Sequence, residues 1–343
     1  MAVLKLKSNT NWLKEKLSKN IYALSDALTP RRLLLLVAII SVLLCLATWS
    51  AINSLRLSPD PEEALAASLE QTTFTQPLPD REFESTLSPE PLTLLQMQAN
   101  LSSFVSANSA TAFGGYTLAF DDREALLAAV SSIEEQGYRV SFVMMDIVTG
   151  YGVSYNSDME FYSASSIKAF YVASVAASLP ESIYSWSSSM RAAIEDSSND
   201  DYFALRYAYG DDPLVTWFED AGVDSSLAYE WWPYYSARTL AKLWLRNYDY
   251  FESGSEGVDQ VREWYSSTYN STIYDNLGPF YSVLTKSGWI ADEELSASVD
   301  AGIIYANDKP YLMVIMTDVP DDVPSLASLV TSLDQVHENM QFS

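Results

Sequence analysis

The hydrophobic and polar positions divide the chain into an apolar run, a polar stretch and a long periodic body. Leu33 to Ile52 is about 20 residues without a charge, the length a bilayer-spanning helix needs. Arg31-Arg32 stand before it and acidic sequence follows. The pattern therefore predicts a single-pass anchor over 32–52, with a basic cytosolic tail over 1–31 and everything later outside the membrane. A cleaved signal peptide is the competing reading, but the basic segment is long for one and no A-x-A site follows. Residues 53–110 open with runs rich in Pro, Ser, Thr and Glu (SPDPEE, QPLPDREFESTLSPEPLT), which read as a solvated tether.

The body, expected over 111–343, alternates between the two periods of regular structure. DDREALLAAVSSIEEQG (121–137) has helical spacing, acidic residues in its first turn and a Gly stop. YRVSFVMMDIV and GVSYN follow as strand-like runs around Thr149-Gly150. FYSASSIKAFYVASVAASL (161–179) reads as a buried helix starting close to Ser165 and ending before Pro180. Residues 190–210 are helical at both ends around a polar insert, and 236–251 form another amphipathic helix. FYSVLTKSG, ASVDAGIIYA and YLMVIMTDV are strand-like, the last two joined by Asn307-Asp308, and SLASLVTSLDQVHENM closes the chain as a helix. The predicted fold is α/β (α+β): an antiparallel sheet flanked by terminal helices, with an all-helical insertion between the strands.

Composition narrows the chemistry. One cysteine, Cys45, lies inside the apolar run, so disulfides, thiol catalysis and Cys-based zinc sites are excluded. One histidine, His337, lies in the last helix, which leaves a hydrolase to find its base in Lys, Glu or Asp and rules out His-rich metal sites. No metal or cofactor is expected. Charge is unevenly divided: residues 1–32 hold seven Lys and Arg against two acidic residues, a net +5, and the rest sums to −30. Such an acidic body repels nucleic acid.

Three short motifs carry candidate chemistry. Ser165-Ser166-Ile167-Lys168 is the only S-x-x-K in the chain. Positions i and i+3 of a helix share a face, so Lys168 Nζ can reach Ser165 Oγ, and a Lys desolvated under an apolar helix can lose its proton and act as a base. Beyond residue 52 the only lysines are Lys168, Lys242, Lys286 and Lys309. Ser197-Ser198-Asn199 lies between two helical pieces; it offers a proton-carrying hydroxyl and an amide, and equally a helix cap. Lys286-Ser287-Gly288 ends a strand, the only K-[S/T]-G in the chain, where a Lys and a hydroxyl suit a carboxylate and Gly permits close approach.

In this order and context (helix start, inter-helix loop, strand edge) the motifs resemble those of the serine β-lactamase and penicillin-binding protein superfamily, most closely its class A β-lactamase-like branch. The resemblance covers roughly residues 115–343. It implies Ser165 as acylated nucleophile and Lys168 as its base or proton relay. It implies Ser197 as proton shuttle to the leaving nitrogen, tuned by Lys286, and Asn199 and Ser287 as contacts to the substrate amide and carboxylate. The backbone N–H groups of Ser165 and Trp289 would form the oxyanion hole.

The chain also departs from that pattern. Ser198 stands where class A enzymes carry Asp, and only 32 residues separate Ser165 from Ser197. The loop that holds the class A deacylation base is shortened to AGVDSSLAYEWWPYYSARTL. Its Glu230 is a candidate base, but Tyr234, not Asn, follows four residues on. Ala301 stands where an Arg often helps bind carboxylate. The expected protein is a membrane-anchored, extracytoplasmic serine hydrolase or acyltransferase of the cell envelope. It would form an acyl-enzyme with a β-lactam or a D-Ala-D-Ala peptide of peptidoglycan and release it slowly. The alternative is a catalytically reduced sensor or scaffold on the same fold.

Overall fold

The computed structural model describes residues 92–306 and 309–340. The expected tail, the anchor over 32–52, residues 53–91 of the tether and the Asn307-Asp308 turn lie outside the described residues. Among the described residues no helix is long and apolar enough to cross a membrane.

The elements run α1 (Leu94–Ser103), β1 (Thr111–Phe113), α2 (Phe120–Glu134), β2 (Val140–Asp146), β3 (Gly152–Tyr155) and β4 (Glu160–Tyr162). A single 3-10 turn, Ala164–Ile167, leads into α3 (Lys168–Ser178). The helical block continues through α4 (Ser182–Ser185), α5 (Ser187–Glu195), α6 (Asn199–Tyr209) and α7 (Asp212–Asp220). β5 (Tyr234–Ser236) interrupts it before α8 (Ala237–Phe251), α9 (Val258–Tyr265) and α10 (Thr272–Leu277). The chain then returns as β6 (Ser282–Thr285), β7 (Gly288–Ala291), β8 (Ser296–Ala306), β9 (Lys309–Thr317) and α11 (Ala327–Met340).

One antiparallel sheet in the order β1-β3-β2-β9-β8-β6, with β7 also pairing β8, forms the middle of the body. Its central strands are buried on both faces, and the period of two sorts their side chains. Val143, Met145, Leu312, Val314 and Met316 join the core under the helical block. Phe142, Met144, Met313 and Ile315 join the core under α2 and α11. Strands from both ends of the sequence meet as β2 and β9, with Val143 opposite Val314.

The body starts before residue 111, inside what reads as tether. Thr93 and Gln96 form a capping box at the head of α1, with Thr93 N donating to Gln96 Oε1 at 2.8 Å. Met97 and Leu101 are buried, and Arg238 on α8 donates to the carbonyls of Leu101 and Phe104 at the helix's other end. Phe161, ahead of the nucleophile helix expected to start close to Ser165, belongs to β4, which pairs β5 in a separate two-stranded ribbon.

Candidate active site

Ser165 sits on the 3-10 turn, and α3 behind it is almost wholly buried. Polar groups lock this helix in place. Ala169 O accepts from Asn247 Nδ2 at 3.3 Å and from Tyr265 Oη at 2.5 Å. Tyr171 Oη donates to Leu205 O and Gly210 O at 3.1 and 2.9 Å. Ser166 Oγ donates to Ser163 O at 2.7 Å and hydrogen-bonds Tyr235 Oη. Ala164, just before the nucleophile candidate, has φ +44°, a left-handed conformation costly for a residue with a Cβ.

β7 crosses against this turn. A Cβ on Gly288 would lie 2.8 Å from Ser165 N and 2.7 Å from Ser163 O and Ser166 N. The glycine therefore admits the backbone of the nucleophile turn, where the sequence reading had assigned that space to substrate. It also brings Ser165 N next to the strand segment that carries Trp289.

Lys168 is fully buried, and Nζ donates to Ser197 O at 2.5 Å and Asn199 Oδ1 at 2.6 Å. No hydrogen bond joins Lys168 to Ser165 Oγ among the described residues. A 3-10 turn still stacks positions i and i+3, so the spacing alone did not decide the contact: Nζ is taken up by the acceptors of the S-S-N loop. Ser197 has φ +59°, and both of its oxygens face lysines: its carbonyl meets Lys168 and its Oγ accepts from Lys286 Nζ at 3.0 Å. Ser198, between them, caps α6 by accepting from Asp201 N at 3.3 Å. The tripeptide thus serves as cap and as ligand for two lysines.

Lys286 is fully buried, and its other hydrogen bond goes to Ser287 O at 2.9 Å. Burial lowers both lysines from the ordinary ammonium range to about 7, with the Lys168 charge pushing Lys286 down further and Asp300 opposing it. Fully buried Asp300 accepts from Ile273 N at 2.9 Å and from Ser271 Oγ, yet burial raises its carboxyl to about 7. Ser287 is fully buried, and its Oγ donates to Tyr269 O at 3.2 Å.

A pocket of about 160 Å³ opens in front of Ser165, walled by Tyr162, Ala164, Asn199, Trp232, Trp289 and Ile290. Of the residues singled out from sequence, Ser165, Asn199 and Trp289 reach it, Lys168, Ser197 and Lys286 lie behind it, and Glu230 does not line it. Glu230 is exposed, and Arg206 on α6 binds its carbonyl (2.8 Å), not its carboxylate. The buried Arg206 also holds Ala228 O at 2.8 Å and faces the Trp231 ring at 4.6 Å, which pins the shortened loop. Sequence reasoning missed Arg206 and the ionic partnership of Asp300. The available signal for the first was Tyr202 and Arg206 at i, i+4.

The fold is that of the serine β-lactamase and penicillin-binding protein superfamily. A β-lactamase from Chitinophaga pinensis matches with a TM-score of 0.51 at 12% identity, over 64% of this chain and 99% of its own. PBP-A matches with a TM-score of 0.50 at 15% identity, over 63% of this chain and 96% of its own. A family model described as the β-lactamase enzyme family matches residues 221–335, a stretch that includes Lys286-Ser287-Gly288 but neither Ser165 nor Ser197. No curated protein matches the sequence.

Proposed function

We propose that this protein is a membrane-anchored, extracytoplasmic serine acyl-transfer enzyme of the β-lactamase-like type, which forms an acyl-enzyme at Ser165 with a lactam or peptide amide and releases it slowly. The observation that carries the reading is the convergence of Lys168, Lys286, Ser197 and Asn199 behind the pocket that exposes Ser165. The β-lactamase-like fold supports the same class of chemistry.

The chemistry runs as follows. Lys168, lowered to about 7, is substantially unprotonated at neutral pH and takes the Ser165 proton after exchanging Asn199 Oδ1 for Ser165 Oγ. Ser165 Oγ bonds to the acyl carbon, and the developing oxyanion faces the N–H groups of Ser165 and Trp289. The C–N bond breaks, the leaving nitrogen takes the Ser197 proton, and Lys286 restores it across 3.0 Å. In the resting site Lys168 Nζ donates to Asn199 Oδ1, which leaves Asn199 Nδ2 for a substrate carbonyl. None of the residues lining the pocket is Asp or Glu, so no carboxylate activates water there and the ester persists.

The test offers the full-length protein a fluorescent penicillin, separately as free acid and as methyl ester. Covalent label from either form, absent in Ser165→Ala and released more slowly than a chromogenic cephalosporin is turned over by a true β-lactamase, is the expected result. No label from either form sinks the proposal. It would then favour the second reading, a sensor or scaffold, to which the engagement of Lys168 with Ser197 and Asn199 in place of Ser165 also points.

A further inference from the structure

The K-S-G segment is where a substrate carboxylate was expected, and its polar atoms face inward. Ser287 is fully buried, with its hydroxyl proton committed to Tyr269 O at 3.2 Å. Lys286 is fully buried, with Nζ committed to Ser197 Oγ and Ser287 O. Neither lines the pocket. Lys286 N bonds Ala301 O at 3.0 Å, so the position flanking the segment on β8 carries a methyl group and no cation. Outside the segment, Tyr269 lies edge-on against Trp289 with centroids 5.8 Å apart.

Beyond the donors reserved for the acyl carbonyl, the rest of the pocket offers a carboxylate no cation: Tyr162, Trp232, Trp289 and Ile290 line it beside Ala164, Ser165 and Asn199, with no Lys or Arg among the lining residues. Exposed Asp292 stands two residues beyond Ile290; burial raises the Tyr162 phenol, and Tyr234 and then the Asp292 charge add to that rise. A carboxylate brought here would lose its water and find no free donor from the K-S-G segment; the Lys286 Nζ lies behind the Trp289 ring, 5.7 Å from its centroid, and the chain's net charge of −25 works against approach from afar.

We propose that this pocket selects an uncharged acyl donor: an amide, lactam or ester with an apolar or aromatic acyl group and no free carboxylate beside the scissile bond. The inference rests on the acyl-enzyme reading above and narrows its substrate class. The covalent step is unchanged. The bond from Ser165 Oγ to the acyl carbon forms, the bond to the leaving nitrogen or oxygen breaks, and that atom takes the proton. The aromatic walls supply stacking surface for the acyl group in place of the ionic contact.

The same pair of penicillin probes tests it. Second-order labelling rates of Ser165 are measured for the free acid and for the methyl ester on the full-length protein. The ester is expected to label roughly fivefold faster, because it is spared the acidic field. Asp292→Asn is expected to raise the acid's rate by roughly two- to threefold through relief of like charge at the rim, with the ester's rate unmoved. An acid that labels as fast as the ester or faster overturns the inference and leaves the acyl-enzyme reading standing. A Ser287→Ala loss confined to the acid overturns it in the same way. Absence of label from both probes overturns the inference and the acyl-enzyme reading together.

Discussion

Asp146 and Asp300 are both buried aspartates on central strands of one sheet, and they behave in opposite ways. Asp146, at the end of β2, meets His337 Nε2 at 3.0 Å, Thr149 N at 2.7 Å and Thr149 Oγ1 at 2.9 Å. Burial works against its charge, but these hydrogen bonds hold its carboxyl below the ordinary range. Asp300, on β8, is more deeply buried, and its carboxyl rises to about 7 despite its hydrogen bonds to Ser271 and Ile273. The two also differ in what lies next to them. His337 stacks on Tyr311 at 3.9 Å and ties α11 to the sheet, a contact that holds the fold together. Asp300 lies near enough to Lys286 for its charge to oppose the lowering of that lysine, and Lys286 in turn donates to Ser197 Oγ. A buried aspartate with a polar partner by itself therefore does not mark a candidate site, whereas a link to a serine that opens on a cavity does.

Substituting one buried side chain in each region should separate the two most sharply. Lys168→Met removes the base while it fills the same apolar volume. Labelling at Ser165 should fall by roughly 10²–10⁴-fold, the ordinary worth of a positioned base. Stability should hold or rise, since a desolvated ammonium is replaced by an apolar chain. His337→Ala should do the reverse. It removes a stacked, buried ring and leaves Asp146 without its partner, at a cost of about 3 kcal/mol, while labelling per folded molecule stays within about twofold. Denaturant midpoints and active-site titration on the two variants read both quantities. Equal labelling losses would break the contrast.

The comparison also shows what could be read in advance. The long elements were legible because α2 and α11 keep a helical period over their length, and β8 and β9 are long strands with apolar, β-branched runs. β4 and β5 have three residues each and find order only in one another, so no period exists to detect. α1 was hidden by Pro- and Glu-rich neighbours, although Thr93 and Gln96 spell a capping box. At the site, the three motifs were local and therefore visible. The inward turn of Ser287 toward Tyr269 depends on a partner 18 residues away, and the Asp300 cluster on Ser271, 29 residues away. Contacts of that separation leave no spacing signature along the chain.

A pH series sharpens the same contrast with a smaller effect. Lys168 must be unprotonated to accept the Ser165 proton, so the labelling rate should rise as pH passes through about 7 and level off above. Stability should follow the signs of the shifts. Asp300 has its folded value raised to about 7, so its contribution is complete below its unfolded value near 4 and is lost as pH rises to 7. Both lysines are lowered to about 7, so their contributions are complete above the unfolded value near 10 and are lost as pH falls toward 7. The site's titrating groups together should place a stability minimum near neutrality. Chemical denaturation at pH 7 and 9 should differ by roughly 2 kcal/mol per lysine, and Lys168→Met should remove one share. Asp146, lowered instead of raised, contributes nothing to that minimum; its stabilisation is lost only as pH falls below the ordinary carboxylate range.

The smallest effect is expected at Ser198, inside the site motif yet engaged only with the fold. Its neighbours present Ser197 Oγ and Asn199 Oδ1 to the two lysines, whereas Ser198 Oγ accepts from Asp201 N at 3.3 Å and donates to Asp201 Oδ2 at 2.7 Å. Ser198→Ala should therefore cost about 1 kcal/mol, the worth of a lost helix cap. Labelling should stay within about twofold, provided Ser197 keeps its left-handed backbone. That proviso is itself measurable, because Ser197 holds φ +59° at the end of the turn that Ser198 closes. If losing the cap lets Ser197 relax, Lys286 loses its acceptor at Ser197 Oγ, and labelling falls much further than the lost cap alone predicts. The ratio of the two effects would then measure how far the α6 cap supports the strained serine beside it.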